Sequence, residues 1–186
     1  MRLQVGQTAP VVRLPNVDGV EFDTRSLVGR PYLLSFYRFA GCPFCNLRVH
    51  RLVSAYPQLR AGVELVAVFD SPLNDLQTHV AKHDAPFPIL ADETNRYYRA
   101  FGIEHSWVGV FRGMILRFPT LIRSMLMGNL PTTIRGKLTT MPADFLIDEE
   151  GHIVQAYYGK DEGDHLPLSE IEKFAARVRS FARGSE

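Results

Sequence analysis

The chain has 186 residues, 46% of them hydrophobic and 22% charged, with a formal net charge of +1. That length and balance fit one folded domain able to bury a sizeable core, and exclude a disordered chain. The near-zero charge gives no electrostatic ground for binding nucleic acid, and no uncharged apolar run reaches the length of a membrane-spanning helix.

Residues 7–27 read as short extended pieces and turns. Val11–Leu14 and Val20–Phe22 are predicted strands joined by an Asp18-Gly19 turn. "PYLLSFYR" follows as a nearly continuous apolar run, the pattern of a strand buried on both faces. "CPFCNLRVHRL" comes next, and Pro43 suits the first turn of a helix, where its missing N–H costs nothing. The pattern then recurs. Gly62–Asp70 is a second buried strand, "LNDLQTHVAKHD" a helix, "FPILAD" a short extended piece, and "TNRYYRAFGI" a helix capped near Gly102. Later, "ADFLID" and "HIVQAYYG" flank the turn "EEG", and the tail is an amphipathic helix with Ser169 as a candidate cap. Strand–helix–strand units, then a hairpin and a last helix, describe an α/β fold with a mixed central sheet.

One stretch departs from this pattern. Between Ser106 and Thr140 there are five basic residues and no acid, among many Phe, Leu, Ile and Met. The stretch reads as an inserted basic amphipathic helical segment at about 106–140. Its three readings are an edge or homodimer contact, a lid, and, least favoured, a helix lying on an anionic membrane surface.

The only two cysteines, Cys42 and Cys45, stand three apart at the start of a predicted helix. In that position a disulfide can open and close with little backbone movement, and the helix N-terminus favours a thiolate. Arg38, Arg48 and Arg51 are near enough in sequence to add to the field. Two alternatives compete: a pair of inert buried thiols, and a zinc site completed by His79 and His83, which are four apart on a predicted helix. The 33 residues between the Cys and His pairs exceed a zinc-finger spacing, so no metal or cofactor is expected. With no signal-like N-terminus, the expected location is the cytoplasm, where such a pair reads as redox-active.

"APVVRLPNVDGVEFDTRSLVGRPYLLSFYR", "VFDSP", "FPILAD", "RAFGI" and "MPADFLIDEEGHIVQAYYG", in that order, resemble the peroxiredoxin-like (alkyl hydroperoxide reductase/thiol-specific antioxidant) branch of the thioredoxin-fold superfamily. The resemblance implies a thioredoxin fold with an N-terminal β extension and a helical insertion before the penultimate strand. It also implies a thiol reductant and a peroxide or disulfide substrate. Aligning the family's peroxide-attacking cysteine with Cys45 places Arg38 where the family has Pro and Cys42 where it has Thr. Pro142 occupies the place of the family's later Arg, and Met141-Pro142 is similar to thioredoxin's cis-proline, which packs beside the dithiol. The site residues implied are therefore Cys42, Cys45, Pro142 and Arg38, with Arg38 acting electrostatically. Two mechanisms stay open: Cys42 attacks a disulfide and Cys45 resolves, or Cys45 attacks peroxide and Cys42 condenses with the sulfenic acid. The alternative from another class is a binding module, zinc-containing or acting through the basic insertion.

Overall fold

The computed structural model describes residues 1–106 and 139–184, together with residues 111, 119, 122 and 126. The bulk of the predicted insertion at 106–140, and with it the choice among dimer contact, lid and membrane surface, lies outside the described residues.

A small antiparallel hairpin comes first, β1 (Arg13–Pro15) with β2 (Glu21–Asp23), paired Leu14 to Phe22. Gly19 makes its turn at φ +85°, a conformation that favours glycine. Five further strands form the main sheet: β3 (Tyr32–Tyr37), β4 (Glu64–Phe69), β5 (Ile89–Ala91), β6 (Ala143–Ile147) and β7 (Ile153–Tyr158), in the order β5-β4-β3-β6-β7. Pairs β3–β4 and β4–β5 are parallel, while β3–β6 and β6–β7 are antiparallel. Among the described stretches 1–106 and 139–184 the helices are α1 (Pro43–Leu59), α2 (Leu73–His79), α3 (Arg96–Ala100) and α4 (Leu168–Gly184). This is the α/β thioredoxin-like architecture expected from the sequence. Two boundaries differ. The predicted helix over 73–84 ends at His79 and continues as a 3-10 turn over Ala81–His83, and α4 starts at Leu168, so Ser169 lies inside the helix instead of capping it.

The continuous apolar run of β3 is explained by its central place. Leu33 and Tyr37 face one layer with Val49, Leu52, Ile171 and Phe174 of α1 and α4, and Leu34 and Phe36 face the other with Tyr97, Tyr98 and Phe101. Successive side chains of a strand point to opposite faces, so a strand covered on both must be apolar throughout. Tyr98 fastens the second layer: its hydroxyl donates to the carbonyls of Tyr37 and Val68. Among the described residues no helix is long and apolar enough to cross a membrane.

Candidate functional site: a buried dithiol at the end of the central strand

β3 runs out at Tyr37, and the chain from Arg38 to Gly41 turns into α1 outside the carboxyl ends of the parallel strands. Crevices at this edge are where open α/β sheets hold their ligands. Cys42 is the N-cap of α1, in extended conformation at φ −69° and ψ 119°, and Pro43 is the first helical residue. The loop is held from several sides. Cys42 N donates to Phe39 O, Ala40 N to Ser71 Oγ, and Asn46 Nδ2 to the carbonyls of Ala40 and Cys42 at 2.7 and 3.0 Å.

Both cysteines are buried, at 0% exposure, and both are free thiols. Burial alone pushes the Cys42 thiol up, because a thiolate loses its water. That effect is outweighed by the neighbouring Cys45 thiol, the Arg38 guanidinium, and the N–H dipoles of Cys45 and Phe44, which bring Cys42 from an ordinary 9.0 down to about 7. Arg38 makes the direct contact, with Nη1 3.8 Å from Cys42 Sγ. Cys45 goes the other way: burial, then the adjacent Cys42, raise it well above its ordinary value. The two sulfurs are thus poised oppositely, one ready to ionise and one holding its proton.

Arg38 is itself 4% exposed. Arg48, expected to share its part, instead donates from Nη2 to Leu166 O at 2.7 Å, and Arg51 lies further along the exposed side of α1. Asp70, whose sequence position suits either a site residue or a helix cap, is buried in the site region. Its N–H donates to Arg38 O, and its carboxylate accepts from Asn95 Nδ2 at 2.7 Å and Thr140 Oγ1 at 2.6 Å. The N-cap of α2 is Pro72.

Pro142 requires a correction. It is buried and directly precedes β6, whose Ala143 pairs with Phe36, so it enters the sheet at the same edge as the dithiol. The Met141-Pro142 bond, however, is trans. Trans is the intrinsically favoured form of an X-Pro bond, and the Pro142 carbonyl accepts from Gly159 N at 2.9 Å just before β6 begins at Ala143. The likeness to thioredoxin's cis-proline therefore fails. His79 and His83 are not arranged around the cysteines as ligands. His83 Nε2 meets Asn46 Oδ1 at 2.7 Å, and among the described residues no three His, Cys, Asp or Glu side chains gather in a way that could hold a metal ion.

A second polar cluster escaped the sequence reading. Asp144, the second residue of β6, is 0% exposed and accepts from Ser35 Oγ at 2.6 Å and Leu166 N at 2.7 Å, with His165 Nδ1 at 3.0 Å. Burial raises its carboxyl, but His165, Arg48 and Ser35 more than offset that and hold it below its ordinary value. The His165 ring lies 4.9 Å from that of Tyr37. The available signal was an acid inside the apolar strand "ADFLID".

A mixed five-stranded sheet with a cysteine pair at the N-terminus of the helix after its central strand defines an α/β protein of the thioredoxin-like fold. The sequence profile of the AhpC/TSA family matches residues 5–156, and the chain belongs to that family. The chain is 28% identical over 104 residues to a Coxiella burnetii protein provisionally named peroxiredoxin bcp, covering 55% of this chain and 69% of that one. It is 24% identical over 113 residues to the chloroplastic peroxiredoxin Q of Populus jackii, covering 60% and 53%. The chain thus spans about half the length of the latter. Among solved structures, peroxidoxin BcpB of Mycobacterium tuberculosis superposes with a TM-score of 0.68 at 14% identity, covering 96% of this chain and 99% of that one. At that identity the likeness concerns the fold.

Proposed function

We propose that the chain is a thiol-dependent peroxidase that works through a reversible Cys42–Cys45 disulfide, with Cys42 attacking and Cys45 resolving. The observation that carries this reading is the opposite poise of the two buried sulfurs, with Arg38 Nη1 at 3.8 Å from the more acidic one. Membership of the AhpC/TSA family supports peroxide as the oxidant and a thiol as the reductant. The Cys42 thiolate takes the distal oxygen of a hydroperoxide, the O–O bond breaks, and the alcohol leaves. Cys45 then attacks the sulfenic sulfur, forming the S–S bond and releasing water. Two external thiols return both cysteines to the reduced state as they themselves join in a disulfide. This order reverses the assignment of peroxide attack to Cys45 by alignment. Cys45 is the thiol that keeps its proton, and the thiolate is the nucleophile.

A second reading, disulfide exchange through the same Cys42, is favoured by one feature. Where the family pattern has Thr, this chain has Cys42 itself, so that hydroxyl is missing from the oxyanion-type stabilisation of O–O cleavage. One experiment separates the two. Freshly reduced protein and its Cys42→Ser and Cys45→Ser variants are mixed with hydrogen peroxide or with a small aromatic disulfide, and the products are read by peptide mass spectrometry. The peroxidase reading requires a sulfenic acid trapped at Cys42 in Cys45→Ser and none at Cys45 in Cys42→Ser. Rapid sulfenylation of Cys45 in Cys42→Ser would reverse the roles. Oxidation of the wild type by the disulfide alone would leave only exchange.

A further inference from the structure

Asn46 follows the dithiol on α1 and takes no part in the chemistry above, yet it is 2% exposed and bonded at both ends of its amide. Its Nδ2 donates to Ala40 O at 2.7 Å and to Cys42 O at 3.0 Å, across the loop that carries Cys42 into the helix. Cys42 O also accepts the backbone N–H of Asn46 at 3.0 Å, the bond that opens α1. Ala40 is 1% exposed, and its own N–H donates to Ser71 Oγ at 2.8 Å. The residue two before Cys42 is thus tied through both its N–H and its carbonyl.

The other end of the amide is held from a distant part of the chain. His83 closes the 3-10 turn after α2 and brings Nε2 to 2.7 Å from Asn46 Oδ1. The direction of that bond follows from the count of donors. Two carbonyls can only accept, so the amide nitrogen must face them and the amide oxygen must face His83. Nε2 therefore carries a proton and donates. Turning the amide over would set its oxygen against both carbonyls and leave Ala40 O buried without its donor. The turn that presents His83 is itself anchored, with His83 N donating to Val80 O at 3.0 Å and Val80 fully buried. His50, four residues after Asn46 on α1, stands beside the ring with centroids 6.5 Å apart. Burial, Lys82 and His50 keep His83 deprotonated down to about pH 4, so one neutral tautomer makes this contact throughout the range in which Cys42 ionises.

We propose that Asn46 and His83 are positioning residues for the dithiol: through the Ala40 and Cys42 carbonyls they fix the backbone from which Cys42 Sγ meets Arg38, Cys45 and the first N–H groups of α1. The ease with which a buried thiol ionises depends on how closely such groups approach it. A loop released at Ala40 and Cys42 holds them less closely, and the thiolate loses part of its support. His83 acts at one remove, by selecting the orientation of the amide. The consequence for peroxide rests on the proposed function, whereas the consequence for Cys42 ionisation does not.

The test therefore has an acidity arm and a kinetic arm. His83→Phe keeps a ring in a half-buried position and removes the donor. The pH midpoint of ultraviolet thiolate absorbance is read for the lower transition, the one that Cys42→Ser removes. His83→Phe should raise it by about half to one pH unit, the weight of one hydrogen bond, and His83→Gln, which offers an N–H at similar reach, should restore it. An unchanged midpoint in folded His83→Phe, or an equal rise in His83→Gln, would overturn the proposal. The tautomer is read in the wild type from the imidazole nitrogen resonances, so the proposal stays testable should His83→Phe not fold. A proton on Nε2 is expected, and a proton on Nδ1 alone would overturn it. In the kinetic arm, His83→Phe should slow oxidation of Cys42 by hydrogen peroxide about 2- to 5-fold at pH 7 and leave it unchanged at about pH 9, where both thiols are ionised. Equal slowing at both pH values would show general damage to the site and overturn the link through acidity. A wild type inert to peroxide would defeat the proposed function and leave the acidity arm to decide the positioning pair alone.

Discussion

Replacing Arg38 with Met removes the one guanidinium that contacts Cys42 Sγ, at 3.8 Å, while keeping an unbranched side chain in a buried position. Two unit charges at that separation attract by about 4 kcal/mol at an effective dielectric constant of 20, a ceiling of about three pKa units. Cys45 and the helix N-terminus remain in the variant, so Cys42 should climb from about 7 by roughly one to three units. At pH 7 the thiolate fraction then falls from about a half to below about a tenth, and alkylation slows by at least about 5-fold. The assay is the pH dependence of iodoacetamide labelling at Cys42, followed by peptide mass spectrometry and compared between wild type and Arg38→Met. An unchanged midpoint, with the variant folded, would refute the claim that Arg38 sets the acidity of Cys42 and leave the Cys45 thiol, with the helix terminus, as its cause.

The same acidity has a consequence for stability. Cys42 is an acid whose folded value, about 7, is depressed below its ordinary 9.0, so its contribution of about 2–3 kcal/mol is present above pH 9 and is lost as pH falls toward 7. Cys45 is raised, so it opposes stability only once pH passes its unfolded value. Urea unfolding of the reduced chain should therefore show a rise in stability from pH 7 to 9 that Cys42→Ser abolishes. Tyr98→Phe leaves two buried carbonyls, those of Tyr37 and Val68, without their hydroxyl donor and should cost about 1–3 kcal/mol in the same assay. Asp144→Asn replaces the buried carboxylate that accepts from Ser35 Oγ and Leu166 N and should destabilise by about 1–3 kcal/mol. Gly159→Ala should destabilise as well, since a Cβ there would stand 2.3 Å from Asp164 O, a backbone atom. His83 is pushed down to about 4 by burial, Lys82 and His50, so its proton resonances should titrate near that value instead of near 6.5.

The order of elements was legible in the sequence because it depends on local pattern. The run "YLLSFY" has the pattern of a strand covered on both sides, Pro43 suits the first turn of a helix, and the spacing of Cys42 and Cys45 at that helix start marks them as the candidate pair. What the sequence left open were contacts between residues far apart in the chain. Strand pairing brings Asp144 of β6 opposite Ser35 of β3, and the turn after β7 lays His165 against Asp144, so a buried charge cluster arises that no local window contains. The Met141-Pro142 bond is trans, where motif likeness implied a cis one. Of three arginines within 14 residues, only Arg38 meets the Cys42 sulfur, because α1 directs Arg48 to Leu166 and leaves Arg51 on its exposed side. The assignment of Cys42 as the more acidic thiol rests on local helix geometry, but the strength of that assignment comes from a buried guanidinium and a paired thiol, whose effect only a packed, low-dielectric interior can produce.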